Sequence, residues 1–327
     1  MAWRMAGLGS LPPLPGGARF WVGLASGGFL LATLAGHGRQ LLQLSLDAQG
    51  WCWLLLAVGV SLLSLLANAA AWVVGLIWLG HQPYWSAAML LFLSSNLRKY
   101  LPGGIWHLLT RLQALKAAAS AALPLTKAPF TTAQALVAVL LDPLLAAAAA
   151  LALVCAAGWQ SGLGLLCLLP LVVLLPRWLN PLMLRLERQR AQQLVERGLL
   201  DVGEADPPEA LPGYPWQPLL AELGFVVLRF AGFACCIEAF DLMPAIGWGE
   251  WLAGFALAWT AGLVVPGAPG GLGVFEAVLL MRLAADVPQA PLLAVVISYR
   301  LVSGLADLLA ALAARADMAS LRNRGYC

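Results

Sequence analysis

The stretch over residues 264–280, VVPGAPGGLGVFEAVLL, constrains the fold most strongly because it places helix-breaking residues in an apolar surround. Proline removes a backbone donor and glycine frees the backbone to turn. We therefore expect one helix to end near Val265 and another to begin near Leu272. A helix break at membrane depth is tolerated only where protein or water satisfies the freed backbone groups. The stretch thus predicts a broken helix whose break is covered from elsewhere.

Composition places that break in a membrane. Hydrophobic residues make up 61% of the 327 positions and charged residues 11%, with a mean hydropathy of +0.82, whereas about a quarter of the residues of a soluble domain are charged. The sequence predicts an all-α polytopic membrane protein, with residues 1–327 forming a single integral membrane domain. The net charge of +3 is small and spread over loops, which argues against a nucleic-acid partner.

A second break of the same design lies upstream in YLPGGIWHLLTR, residues 100–111. It carries Pro-Gly-Gly at 102–104, as the first stretch does at 269–271. The apolar runs beside it, 86–96 and 105–116, are at most about 18 Å long as helices, too short for a hydrocarbon core of about 30 Å. Both breaks therefore predict re-entrant helical hairpins. A chance pair of Pro-Gly-Gly turns in a glycine-rich apolar chain is the alternative.

About six full transmembrane helices are predicted beside the two hairpins, which cover residues 86–116 and 251–284. The predicted spans are residues 20–35, 51–79, 131–157, 163–175, 218–240 and 291–315. A polar segment, residues 177–217, separates the two halves and is predicted to be a cytoplasmic loop. An amphipathic surface helix over 182–200 is the alternative for its first part.

The distribution of charge predicts the orientation. With the N-terminus in the cytoplasm, most arginines and lysines outside the spans fall on the cytoplasmic side, as the positive-inside rule requires. We therefore expect a bacterial-type inner membrane protein with both termini in the cytoplasm. The two hairpins then enter from opposite faces, and their tips are expected to meet near the midplane. Such paired, broken segments in an inverted repeat mark the substrate site of many secondary transporters.

Ionisable residues inside the apolar segments indicate the candidate site, because a charge in hydrocarbon costs at least about 3 kcal/mol and normally faces a partner or a wet cavity. The planar arginine fork suits phosphate, which predicts a site for an anionic lipid head group. The candidate head-group residues are Arg98, Lys99, Tyr100, Pro102, Gly103, Gly104, Arg111, Arg229, Pro269, Gly270, Gly271, Gly273, Glu276 and Arg300. Asp142 and Asp307 are candidates for helix pairing or proton transfer. No metal site and no cofactor are predicted.

Internal ion pairing that merely joins helices is the alternative for these residues. Arg300 and Asp307 are seven residues apart and share a helix face, so they are well placed to pair with each other. Glu276 follows the Gly271 break by five residues, where the dipole of a helix N-terminus favours a carboxylate. Asn96 is predicted to be an interhelical hydrogen-bonding residue.

Two motifs resemble the signature regions of the lysylphosphatidylglycerol synthase transmembrane-region family: NLRKYLPGG over 96–104 followed by Arg111, and PGAPGGLGVFE over 266–276. The resemblance covers nearly the whole chain. It implies a membrane protein that moves phospholipids, or polyprenyl or hopanoid lipids, between leaflets. The aminoacyl-lipid synthases of that family carry a soluble transferase domain after the membrane part, whereas only residues 316–327 follow the last predicted span here. The resemblance therefore implies no aminoacyl transfer.

The sequence thus favours a flippase-like lipid transporter over an enzyme. An enzyme needs a positioned nucleophile, base or metal set. The sequence has three histidines and no paired acidic motif, and no such catalytic set is recognisable in it. A non-catalytic membrane subunit or scaffold for a lipid-modifying or glycosyl-transfer enzyme is the alternative. The expected partners are membrane lipids, together with either a second copy of the chain or a lipid-synthesis enzyme.

Overall fold

The computed structural model describes residues 46–101, 105–117, 125–128, 130–157, 165–196, 211–265 and 268–323. These ranges contain ten α-helices and no strand. In the first half they are α1 (Ala48–Trp78), α2 (Trp85–Asn96), α3 (Trp106–Lys116), α4 (Thr132–Ala157) and α5 (Leu169–Val173). In the second half they are α6 (Pro176–Glu196), α7 (Trp216–Glu238), α8 (Trp248–Val264), α9 (Val274–Leu283) and α10 (Gln289–Asn323). The span predicted over 20–35 lies outside the described residues.

Four of the described helices, α1, α4, α7 and α10, are long and apolar enough to cross a membrane. A fifth candidate is the pair Leu166–Val173 and Pro176–Arg185, whose two parts are bent by 80° and form either a broken span or a re-entrant loop. The span predicted over 163–175 is therefore a short helical segment joined to α6. These helices are consistent with the predicted all-α, multi-pass membrane protein.

The polar segment predicted over 177–217 is helical in its first part. Helix α6 extends to Glu196 with Pro181 inside it, and residues 197–210 lie outside the described ranges. Leu179 and Met183 on α6 are buried against α4. Two predictions were made for this segment, a loop and, over 182–200, an amphipathic helix. Its first part is helical, but the helix begins earlier, at Pro176, and packs against α4.

Helices α1 and α7 pack antiparallel along their length. A Cβ added at Gly50 would lie 2.8 Å from the Ala239 carbonyl oxygen, and one added at Gly232 would lie 2.8 Å from Ser61 Oγ. Small residues at such crossings let helix backbones approach closely. The beginning of α1 therefore lies beside the end of α7, and these two helices form the most extensive packing pair of the bundle.

Helices α2 and α3 form one hairpin, and α8 and α9 form a second. The base of the first hairpin lies near the end of α1, where Pro83 forms a β-bridge with Thr126 and the His81 ring stacks on Phe130, 3.8 Å between centroids. At the base of the second hairpin, a Cβ on Gly249 would lie 2.9 Å from the Ala157 carbonyl oxygen at the end of α4.

Helix α4 fixes the relation between the two hairpins because it begins just after Phe130, beside the first base, and ends at the second. The hairpins therefore enter the bundle from opposite ends. An aromatic cluster then holds α7 to α10 together, with Phe255 5.0 Å from Phe233 and 5.6 Å from Tyr299 between ring centroids. Because Tyr299 belongs to this cluster, the next residue of α10, Arg300, is held at a fixed height in the bundle.

Candidate functional site

The break in the second hairpin is a turn that only glycine can form. A 3-10 turn over Pro269–Gly271 follows α8, with Gly270 at φ 59° and Gly271 at φ 72°. A Cβ on Gly270 would lie 2.7 Å from the Tyr100 ring, and one on Gly271 would lie 3.0 Å from the Gly262 Cα. Both positions thus require glycine for backbone conformation and for space.

Arg300 of α10 covers this break. Its Nη1 donates to the Gly270 carbonyl at 2.9 Å and its Nη2 to the Gly271 carbonyl at 2.7 Å. Its Nε donates to Glu276 Oε1 at 2.6 Å, and its guanidinium lies 4.8 Å from the centre of the Phe275 ring. A side chain from another helix therefore satisfies the backbone carbonyls that the turn frees, as a helix break at membrane depth requires.

Glu276 lies in the first turn of α9, with 1% of its surface exposed, and Gly273, the N-cap residue before that helix, has φ 80°. The predicted pairing of Arg300 with Asp307 is not formed, because Arg300 pairs with Glu276 instead. Seven residues along a helix separate two side chains by about 10.5 Å, so Arg300 and Asp307 face different neighbours. Each is bound to a different hairpin.

Asp307 holds the first hairpin. Its buried carboxylate accepts from Lys99 Nζ at 2.8 Å, from Asn96 Nδ2 at 2.7 Å and from the Tyr100 hydroxyl at 2.6 Å. All three donors lie at the end of α2 or in the 3-10 turn Leu97–Tyr100 that follows it. The Pro102–Gly104 tip lies outside the described residues, which resume at Ile105, just before α3.

Tyr100 joins the two hairpins. Its hydroxyl donates to Asp307, while its ring packs against Gly270 so closely that a Cβ there would overlap it. The structure therefore brings together seven of the predicted site residues at the meeting point of the two breaks. They are Lys99, Tyr100, Gly270, Gly271, Glu276, Arg300 and Asp307.

Arg229 of α7 lies beside this meeting point, and two of its three guanidinium nitrogens have no hydrogen-bond partner in the described residues. It is 7% exposed, and neither Nε nor Nη1 has a hydrogen-bond partner among the described residues. Its guanidinium lies 5.9 Å from the centre of the Tyr299 ring and interacts electrostatically with Asp307 and Tyr100. The buried Tyr299 hydroxyl is also without a partner in the described part of the chain. Arg229 and Tyr299 are therefore two neighbouring buried groups that both have hydrogen-bond donors without an acceptor in the described residues.

Arg111 and Asp142 form a separate buried group. Arg111 Nη1 lies 3.5 Å from Asp142 Oδ2, its Nε donates to Ser95 Oγ at 3.2 Å, and its guanidinium stacks 3.5 Å from the centre of the Phe92 ring. The guanidinium is thus enclosed between α2 and α4. These contacts place Arg111 in a buried ion pair between helices, the arrangement described by the ion-pairing alternative.

Arg98, another predicted site residue, is exposed and donates to Thr110 across the first hairpin. Its contact with the structure is therefore local to that hairpin. Of the remaining predicted positions, Pro269 begins the glycine turn, and Pro102, Gly103 and Gly104 lie outside the described residues.

The sequence reasoning missed Glu222 and Tyr299 and gave Asn96 too general a role. Glu222 is 1% exposed, and its carboxyl lies within hydrogen-bonding reach of Asp142. Its signal was visible, because it is a carboxylate inside the span predicted over 218–240, seven residues before Arg229. Tyr299 gave no comparable signal, since an aromatic residue in an apolar helix is ordinarily part of the core.

No protein-family model matches the chain, and no curated protein matches it in sequence. Function must therefore be inferred from the site itself. In the described ranges, no group of three or more His, Cys, Asp and Glu residues is placed to hold a metal ion. What the site contains is a set of buried charges, most of them paired, around two helix breaks in contact.

Proposed function

We propose that this protein is a multi-pass inner-membrane transporter that transfers an anionic lipid between leaflets, with the head-group phosphate bound by Arg229. One observation carries the proposal: Arg229 is a buried guanidinium whose Nε and Nη1 have no hydrogen-bond partner in the described residues, beside the contact between Tyr100 and Gly270. An unpaired charge at such depth is costly, so buried charges in native proteins are normally paired. An anionic ligand would supply the missing partner.

The neighbouring cations are already neutralised, which leaves Arg229 to the ligand. Lys99 is paired with Asp307, and Arg300 with Glu276. Arginine binds phosphate through two parallel N–H bonds and is weakly hydrated, so it suits a phosphate entering from the lipid phase. The buried Tyr299 hydroxyl beside it offers one further donor.

A lipid is the ligand class favoured by the architecture around Arg229. We propose that α2 with α3, and α8 with α9, are re-entrant hairpins among about six full spans, and that they form an inverted repeat with both chain termini in the cytoplasm. In transporters of this kind, substrate sites lie near the midplane where broken helices meet. The resemblance to the lysylphosphatidylglycerol synthase transmembrane region supports a phospholipid, with polyprenyl and hopanoid lipids as further cargo classes of that family.

The test is leaflet transfer in proteoliposomes. A fluorescent phosphatidylglycerol is placed in both leaflets, and a reductant added outside reports the rate at which inner-leaflet lipid becomes accessible. We expect the wild-type protein to accelerate transfer and Arg229→Gln to lower that rate at least about tenfold, the factor that corresponds to about 1.4 kcal/mol. Arg229→Lys keeps the charge but loses the planar set of N–H donors, so its transfer rate should lie between those of the wild type and Arg229→Gln.

Arg315→Gln is the matched control, because Arg315 is an exposed arginine near the end of α10. Its transfer rate should equal that of the wild type. Equal transfer by wild type and Arg229→Gln would overturn the assignment of the head-group site. If the wild-type protein binds the anionic lipid in native mass spectra but transfers none, the scaffold role for a lipid-modifying enzyme is favoured instead.

A further inference from the structure

Two carboxyl groups share one buried position between α4 and α7. Glu222 on α7 and Asp142 on α4 are neighbours, because Leu219 and Phe225, which flank Glu222, pack in one buried cluster with Leu141 and Leu145, which flank Asp142. The two carboxyl groups therefore interact with each other. Glu222 is 1% exposed, and the Asp142 side chain is 12% exposed. Two ionised carboxylates so close together in a low-dielectric site repel each other strongly, so such pairs retain one proton between them.

The charge around the pair supports the same conclusion. Arg111 is the cation that interacts with both carboxyl groups, and its contact with Asp142 is 3.5 Å long. One guanidinium balances one carboxylate and leaves the second uncompensated. In addition, Glu222 Oε2 and Asp142 Oδ1 have no hydrogen-bond partner in the described ranges. A proton on one carboxyl removes the excess charge and supplies the donor that the pair lacks.

The other helices packed against α4 contribute little charge at this depth. Helix α1 contains no charged residue, and α6 places Leu179 and Met183 against α4. The Glu250 carboxylate of α8 is in its first turn, beside the far end of α4. On α3, His107 lies one turn before Arg111. Thus α3 carries three cationic or titratable residues, His107, Arg111 and Lys116, of which Arg111 contacts Asp142, and Arg229 follows Glu222 by seven residues on α7.

We propose that Asp142 and Glu222 form a proton-binding site, and that the proton it holds is exchanged during the transport cycle. The link to the head-group site is α7, which carries Glu222 and Arg229 two turns apart on one face. Release of the proton places a second negative charge about 10.5 Å along the helix from Arg229, and uptake removes it. The binding of an anion at Arg229 is therefore energetically linked to the protonation of the pair. This coupling, but not the proton site itself, rests on the proposed function.

The proton site is tested without any transport measurement. Infrared spectra of the purified protein in lipid nanodiscs, compared in H₂O and D₂O, report the carbonyl stretch of a protonated carboxylic acid. At neutral pH we expect this band in the wild type and its loss in Glu222→Gln and in Asp142→Asn, because in each variant one carboxylate remains to pair with Arg111. Glu238→Gln is the matched control on the same helix and should retain the band.

Absence of the band from the wild type at neutral pH, or its persistence in both single variants, would overturn the proton site. Replacement of sodium by choline should leave the band unchanged. A band that disappears when sodium is added would instead identify a cation site and contradict the proposal.

The coupling is tested in the proteoliposome assay. One pH unit across the membrane changes the occupancy of a single proton site by up to about tenfold. We therefore expect the wild-type transfer rate to depend on the gradient, and the ratio of rates with and without it to fall to one in Glu222→Gln. A gradient-independent wild-type rate would overturn the coupling. If the band is present but the wild type transfers no lipid, the proton site is supported and the proposed function fails.

Discussion

The two hairpins are anchored to the same helix by opposite chemistry. In the first hairpin, three donors, Asn96, Lys99 and Tyr100, converge on one carboxylate of α10, Asp307. In the second, the hairpin provides the acceptors and α10 provides the donor, Arg300. The first anchor, at Asp307, thus has its acceptor on α10, and the second anchor, at Arg300, has its donor on α10. Helix α10 therefore holds both breaks through one face.

The anchors also differ in what they hold. The described contacts of Asp307 are all to side chains, whereas Arg300 additionally binds two backbone carbonyls, those of Gly270 and Gly271. A side chain that loses its partner can change rotamer or reach water, as Lys99 can with 22% of its side chain exposed. A backbone carbonyl inside a glycine turn has no such freedom. Loss of the second anchor is therefore expected to be the more damaging.

The largest effect is predicted for Arg300→Ala. The substitution leaves Glu276 as an unpaired buried carboxylate and two carbonyls without donors. Breaking a buried ion pair by removing one partner typically costs about 3–5 kcal/mol. Reversible unfolding in mixed micelles should report that loss. Arg282→Ala, at the end of α9, is the control and should change the stability little.

A double variant separates the cost of the unpaired Glu276 charge from the cost of the two unpaired carbonyls in the glycine turn. If the unpaired Glu276 charge dominates, Arg300→Ala combined with Glu276→Gln should recover a large part of the lost stability. If the two carbonyls dominate, the double variant should be no more stable than Arg300→Ala. Equal stability of Arg300→Ala and wild type would contradict the anchoring role altogether.

A smaller loss is predicted for Asp307→Asn at the first anchor. The amide oxygen can still accept one of the three hydrogen bonds, while Lys99 turns toward solvent. Hydrogen bonds to charged groups contribute about 1.5–3 kcal/mol, so the loss should lie in that range and below that of Arg300→Ala. Asp317→Asn, an exposed position on the same helix, should have no effect. A loss larger than that of Arg300→Ala would reverse the order of the two anchors.

Much of this arrangement was predictable from the sequence, because the signals are local. Proline and glycine inside apolar runs indicate where helices break, and the arms predicted at 86–96 and 105–116 correspond within one residue to α2 and α3. Buried charges were predictable as a class, since ionisable residues inside apolar helices are rare and conspicuous. Entry of the hairpins from opposite membrane faces, inferred from the count of spans and charges, stays a prediction, while the structure shows that they enter the bundle from opposite ends.

The pairing of those charges was not predictable, because it depends on distances between helices remote in sequence. Seven residues on one helix suggested that Arg300 pairs with Asp307, yet each residue binds a partner that is 24 or more positions away. The charge of Glu222 was visible in the sequence but its role was not, because that role depends on Asp142 on a different helix. Tertiary packing chooses among several electrostatically acceptable pairings, and periodicity within one helix does not contain that information.

The smallest effect is predicted for Tyr100→Phe, which tests whether one residue serves both anchors. The hydroxyl belongs to the first anchor, as a donor to Asp307, and the ring belongs to the second, packed on Gly270. Phenylalanine removes only the hydrogen bond, and Asp307 keeps Lys99 and Asn96, so the loss should lie at the lower end of the range for a hydrogen bond to a charged group, about 1.5 kcal/mol. Tyr84→Phe, at an exposed tyrosine before α2, should change nothing.

Tyr100→Ala removes both contacts and should be clearly more destabilising than Tyr100→Phe, since truncation of an aromatic side chain adds a packing loss. The difference between these two variants isolates the contact between the hairpins. If that contact links the anchors, the difference should shrink when Arg300→Ala has already released the glycine turn, because residues in contact are not energetically independent. A difference that is unchanged in the Arg300→Ala background would mean that the two anchors stabilise their hairpins separately, although the same helix carries both.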